Sequence, residues 1–92
     1  DLSFEVQFFV KDDDGSFDAF SSGSPIEFNN GDVESELLWD DSEQTLNAGE
    51  PNVIPVTISA PSKNGNYLYK VVLYDTVTTE EFASKTFFIK TS

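Results

Sequence analysis

Phe4, Val6, Phe8 and Val10 alternate with Glu5, Gln7 and Phe9, so that from Ser3 to Val10 one set of side chains is apolar and the other largely polar. A repeat of two is the spacing of a strand with one buried face, and no segment of the chain sustains the spacing of an amphipathic helix. The alternation returns over Val33–Asp40, where Val33, Ser35, Leu37 and Trp39 oppose Glu34, Glu36, Leu38 and Asp40. It recurs over Val53–Ala60, with Ile54, Val56 and Ile58 on the inner side, and over Phe82–Thr91, where Ala83, Lys85, Phe87 and Ile89 oppose Ser84, Thr86, Phe88 and Lys90. Asn66–Asp75, dense in Tyr, Val and Leu, is the longest strand expected. Ser16–Phe20 and Ile26–Phe28 are shorter ones. Gly, Pro, Asn and Asp cluster between these segments at Lys11–Gly15, Ser21–Pro25, Asn29–Asp32 and Pro61–Gly65, which reads as turn chemistry. Asp41–Asn52 reads as a long polar connection, and Pro55, which has no N–H, sends its strand to a sheet edge or a bulge. Short strands with turn signals at this density predict an all-β, antiparallel two-sheet β-sandwich of about seven strands.

A core is available to such a fold. Leu, Ile, Val and Phe make up more than a quarter of the 92 residues, and nine Phe supply much of the area that a domain without Cys must bury. The length predicts a single domain over residues 1–92. No apolar run approaches the roughly 20 residues of a membrane helix, and the chain shows no signal peptide and no initiator Met, so it is expected to be a piece of a longer protein. Five basic against 17 acidic residues leave a formal charge of −12. That balance disfavours nucleic acid and anionic membrane surfaces as partners. The excess is uneven: residues 1–50 hold fourteen of the acids and only one lysine, Lys11. Crowded carboxylates are expected to raise one another's pKa. With no His, Cys or Met, Ser/His/Asp and Cys/His catalysis is excluded, and a domain this small lacks the deep cleft that would tune a pair of carboxylates. The chain is therefore expected not to be an enzyme.

Leu46-Asn47-Ala48-Gly49-Glu50, the strand Val53–Ala60, the run from Gly65-Asn66-Tyr67-Leu68-Tyr69 to Asp75, and Ser84–Lys90 together resemble the last three strands of immunoglobulin-like domains in bacterial and archaeal surface or secreted proteins. The resemblance covers about residues 46–90, lacks the Cys pair of antibody domains, and does not extend to residues 1–45. It implies an immunoglobulin-like β-sandwich placed outside the cell or on its surface, acting as a structural, adhesive or protein-binding module beside neighbouring domains of the same chain. In such domains a Gly-x-Tyr-x-Tyr start to the penultimate strand is often a tyrosine corner, which makes Tyr67 or Tyr69 the candidate for a hydroxyl that bonds back to upstream backbone.

Two constellations are candidates for ligand chemistry. Asp12, Asp14, Ser16 and Asp18 stand at alternate positions and offer oxygens to a hard cation such as Ca²⁺, although Gly15 precedes Ser16 and no Glu stands at the twelfth place of an EF-hand loop. The plainer reading is a solvated hairpin turn. Asp40, Asp41 and Glu43 would complete a shared site if their loop lay at the same end of the sandwich. Trp39, Tyr67 and Tyr69 are candidates for a carbohydrate platform, which requires exposed, coplanar rings; the plainer reading places Trp39 in the core with Val33 and Leu37. Tyr74 falls on the face opposite Tyr67 and Tyr69, while Phe9, Phe28 and Phe88 are left outside a single core and mark a second packing surface or a partner surface. No cofactor other than Ca²⁺ is suggested.

Overall fold

The computed structural model describes residues 2–11, 15–28, 33–47, 49, 51, 53–61 and 64–91. Its strands among these residues are β1 (Leu2–Lys11), β2 (Phe17–Ala19), β3 (Ile26–Phe28), β4 (Val33–Trp39), β5 (Gln44–Leu46), β6 (Val56–Ser59), β7 (Gly65–Asp75) and β8 (Glu81–Thr91). They form two antiparallel sheets, as in a β-sandwich. The larger runs β2-β1-β7-β8, with β5 also paired to β1, and the smaller runs β3-β4-β6. β1 is long enough to hold two partners along one edge: β2 pairs with Phe9–Lys11, and β5 pairs with Leu2–Phe4. β5 lies inside the stretch expected to be a structureless connection, because three residues, Gln44, Thr45 and Leu46, show too little alternation to stand out from polar neighbours.

The alternation translates directly into burial. Phe4, Phe8 and Val10 of β1 are buried, as are Ser35, Leu37 and Trp39 of β4 and Tyr69 of β7. Side chains directly opposite across a ladder share a face, so the pairs Val6↔Leu73, Phe8↔Val71 and Val10↔Tyr69 line the inner side of the large sheet, while Glu5↔Tyr74, Gln7↔Val72 and Phe9↔Lys70 line its outer side. In the small sheet Leu37↔Ile58 and Trp39↔Val56 point inward. β6 is an edge strand that begins directly after Pro55, in keeping with the missing N–H. Val53–Pro55 are unpaired, so this strand is shorter than its alternation suggests.

Between β2 and β3 the chain passes from the first sheet to the second. Phe20 N–H donates to Phe8 O at 2.8 Å, still on the first sheet, and Gly23 N–H donates to Leu37 O at 2.9 Å, already on the second. Gly23 has φ +77°, a conformation that only glycine takes at little cost, which explains the residue at this corner. The β7–β8 hairpin turns through Thr76–Glu80, where Asp75 Oδ1 accepts from the N–H groups of Val77 and Thr78 at 2.7 and 3.1 Å. Thr79 sits there at φ +61°. For a β-branched residue that conformation costs about 1–2 kcal/mol. Thr79→Gly is therefore expected to stabilise the protein by about 0.5–1 kcal/mol, a gain of several degrees in Tm for a domain of this size. Thermal melts of the two proteins check it, and an unchanged or lower Tm would contradict a strained Thr79.

Candidate functional site

Asp12 and Asp14 of the candidate Ca²⁺ set lie outside the described residues. Ser16 and Asp18 are exposed, and Asp18 pairs with Val10 across β1–β2. The second acidic group does not join them. Gln44 pairs with Phe4 at one end of β1, and Phe17 pairs with Lys11 at the other. Seven residue steps along β1 separate these points, roughly 23 Å. The length of β1 thus keeps Asp40, Asp41 and Glu43 apart from Ser16 and Asp18, so the condition for a shared site is not met among the described residues. Among the described residues no three acidic side chains gather around a point where a metal could sit. Asp40 has a local role instead: its Oδ1 accepts from Ser42 Oγ at 2.6 Å and from Ser42 N–H at 3.0 Å. These bonds hold the Asp40 carboxyl below its ordinary pKa. Crowding was expected to do the reverse, but a carboxylate that accepts two hydrogen bonds at once is favoured in its charged form.

The three aromatic candidates separate. Trp39 is 6% exposed and meets Phe8 edge-to-face, with ring centroids 4.9 Å apart at 61°. Its Nε1–H donates to Val6 O at 3.2 Å, which ties β4 to β1 across the sandwich. Tyr69 is fully buried, stacked between Phe20 and Phe87 with centroids at 6.0 and 5.5 Å. Its hydroxyl lies 2.8 Å from Ser35 Oγ, which itself donates to Ser59 O at 3.0 Å, so the phenol is the donor in the first bond. A chain of hydroxyls therefore runs from β7 through β4 to the end of β6. Burial pushes the Tyr69 phenol pKa up. This hydroxyl does not return to upstream backbone as a tyrosine corner would; it crosses to the other sheet. Tyr67 is half-buried and packs against the core. Neither Trp39 nor Tyr69 offers a ring face to a sugar, so the exposed, coplanar platform is not formed. Tyr74 points to the other side of β7, as expected, and donates to Glu5 Oε2 at 2.7 Å, and that bond raises the Tyr74 phenol pKa.

What does gather is on the outer face of the large sheet. The register sets Phe17 beside Lys11, Phe9 beside Lys70, and Leu68 beside Phe88. One further step of the β1–β7 ladder brings Lys11 next to Leu68, so that Phe17, Lys11, Leu68 and Phe88 form a row across four strands. Phe88 is 70% exposed and Phe17 37%. Lys70 Nζ stands 5.6 Å from the centre of the Phe17 ring, within cation–π range. Lys90, opposite Asn66, extends the same face. The outer side of the small sheet is different in character: exposed Glu27 and Leu38, and half-buried Glu36. Alternation alone had left Phe9 and Phe88 outside the core, and the structure confirms that placement for both; the side chain of Phe28 lies outside the described residues. Phe17 and Lys70 could not be assigned to this surface from sequence, because their adjacency depends on the pairing of β2 with β1 and of β1 with β7. No helix is long and apolar enough to cross a membrane among the described residues. Comparisons with protein-family models, with curated proteins and with solved structures found no match to this chain.

Proposed function

We propose that this domain is a non-catalytic module of a larger surface or secreted protein, immunoglobulin-like in its sandwich, that binds protein through the outer face of its large sheet. The observation that carries the reading is the row of Phe17, Lys11, Leu68 and Phe88, flanked by Lys70 and Lys90, on a chain of formal charge −12. Exposed aromatic side chains are the residues most enriched at protein interfaces, and a 70% exposed Phe88 loses more by facing water than by facing a partner. Collecting three of the five lysines on that one face favours a partner with acidic side chains at its rim. A neighbouring domain as acidic as this one fits that description.

A photo-crosslinking side chain placed at Phe88, in the intact parent protein, is expected to capture a protein surface on irradiation, whereas the same group at Leu38, on the opposite outer face, is expected to capture little. Phe17→Ser, distant from the crosslinker, should reduce the yield several-fold. Equal capture from both faces, or none from Phe88, would remove the basis for this reading. Fractionation of the producing cells tests the extracytoplasmic placement separately.

A further inference from the structure

Between the sheets lies an open cavity of about 380 Å³, within the size range of small-molecule pockets. Phe4, Val6 and Phe8 of β1 form its floor, Leu46 and Ile54 close one side, and Val71 and Leu73 of β7 form the other; every lining side chain is apolar. A ligand seated there can bring no group that needs a hydrogen bond to its buried end. The small sheet ends at β6, while the large one continues past β7, which lines the cavity, to β8. Across the β7–β8 ladder, Val71 pairs with Lys85 and Leu73 with Ala83, and both β8 residues are exposed. The apolar wall thus runs onto an uncovered strip of sheet that carries Lys85; the acidic group on the same face of β7, Asp75, lies at the other end of the cavity opposite Phe4, with its Oδ1 taken up by the N–H groups of Val77 and Thr78. Lys11, Lys70 and Lys90 all lie on the outer face, so among the described residues Lys85 is the lysine on the cavity's side of the sheet.

We propose that this cavity binds the hydrocarbon chain of a free, single-chain fatty acid, with the carboxylate held at the rim by Lys85. An apolar slot with one cation beside its wall matches an amphiphile of one tail and one negative charge. The formal charge of −12 opposes any anionic ligand at long range, and an anionic bilayer, with many charges, more than a single carboxylate, so the attraction is left to Lys85 at close quarters.

Trp39 is the sole tryptophan and packs on Phe8, one wall of the cavity, so the protein carries its own reporter. Titration of the whole chain with sodium dodecanoate, kept below its micelle concentration, is expected to change Trp39 emission saturably and to raise Tm as the ligand concentration rises. Val71→Phe fills the space and is expected to weaken dodecanoate by roughly tenfold or more while leaving the free protein folded. Lys85→Glu, at an exposed position that the fold does not need, should weaken dodecanoate about fivefold and leave dodecanol binding unchanged. A Trp39 emission and Tm indifferent to dodecanoate would overturn the proposal. So would a Val71→Phe protein that still binds like the parent, or a Lys85→Glu protein with undiminished preference for the carboxylate.

Discussion

Trp39→Ala is expected to remove about 3–5 kcal/mol of stability. A domain of 92 residues has a total of only about 5–14 kcal/mol to lose. Three separate interactions end at this residue, two of them at its side chain. Its ring fills the space between the sheets against Phe8 in an edge-to-face contact. Its Nε1–H satisfies Val6 O on the opposite sheet. Its backbone is bracketed by Ser22, whose Oγ accepts from Trp39 N–H at 3.0 Å and donates to Trp39 O at 2.6 Å. The last of these survives substitution, so the loss belongs to the side chain. Trp39→Phe keeps most of the apolar volume and loses the indole donor, and is expected to cost about 1–2 kcal/mol. Urea unfolding of the three proteins measures both values. A Trp39→Ala protein less than about 1 kcal/mol below the parent would mean that the two sheets do not pack through this residue.

At Tyr69 the expected losses divide in the same way but for a different reason. Tyr69→Ala opens a cavity between Phe20 and Phe87 and is expected to cost about 3–5 kcal/mol. Tyr69→Phe keeps both ring contacts and removes only the donor to Ser35 Oγ, for about 1–2 kcal/mol. Ser35→Ala should cost a similar amount, because it strands the phenol in a buried site and takes a donor from Ser59 O. The double variant Ser35→Ala/Tyr69→Phe is then expected to lose less than the sum of the two, since each single change already breaks the shared bond. Strict additivity would show that the hydroxyl chain is not a unit. The phenol also gives the protein an alkaline limit. Tyr69 and Tyr74 both hold their protons more tightly folded than unfolded. Their contribution is complete below the unfolded value near pH 10 and is lost as pH rises through the raised folded values. Stability should therefore fall on going above about pH 10, and fall less steeply in Tyr69→Phe, where one of the two groups is gone.

The features that sequence reasoning reached were those with a local physical cause. Phe4, Phe8 and Val10 had to share a face because a strand repeats every two residues, and Pro55, which cannot donate to a neighbour, pointed to an edge or a bulge; the edge strand β6 begins directly after it. The burial of Trp39 was legible as the plainer alternative to a sugar platform, from its place in line with Leu37. β5 was not legible: a three-residue strand carries almost no periodicity, and it forms because the first residues of β1 have a free edge. Nor was the Ser35–Tyr69 bond, which joins residues 34 apart in a polar pair that either face of an isolated strand would tolerate. The tyrosine-corner role implied by the resemblance is not the one Tyr69 plays here, since its hydroxyl reaches a side chain on the facing sheet.

By itself, the order of apolar and polar residues determined that this protein is built of antiparallel strands with a Phe-rich interior, and the composition determined that these 92 residues supply no imidazole and no thiol. Only the tertiary structure decided where the charge resides. Each sheet takes strands from both halves of the chain, so the acid-rich first half and the nearly neutral second half are interleaved. Lys11, Lys70 and Lys90 nevertheless collect with Phe17 and Phe88 on one outer face, while among the described residues Lys85 is the lysine that turns to the side of the cavity. Alternation assigns each residue to one of two faces of its own strand. Which face meets which neighbour is set by long-range pairing, a property that no local repeat encodes.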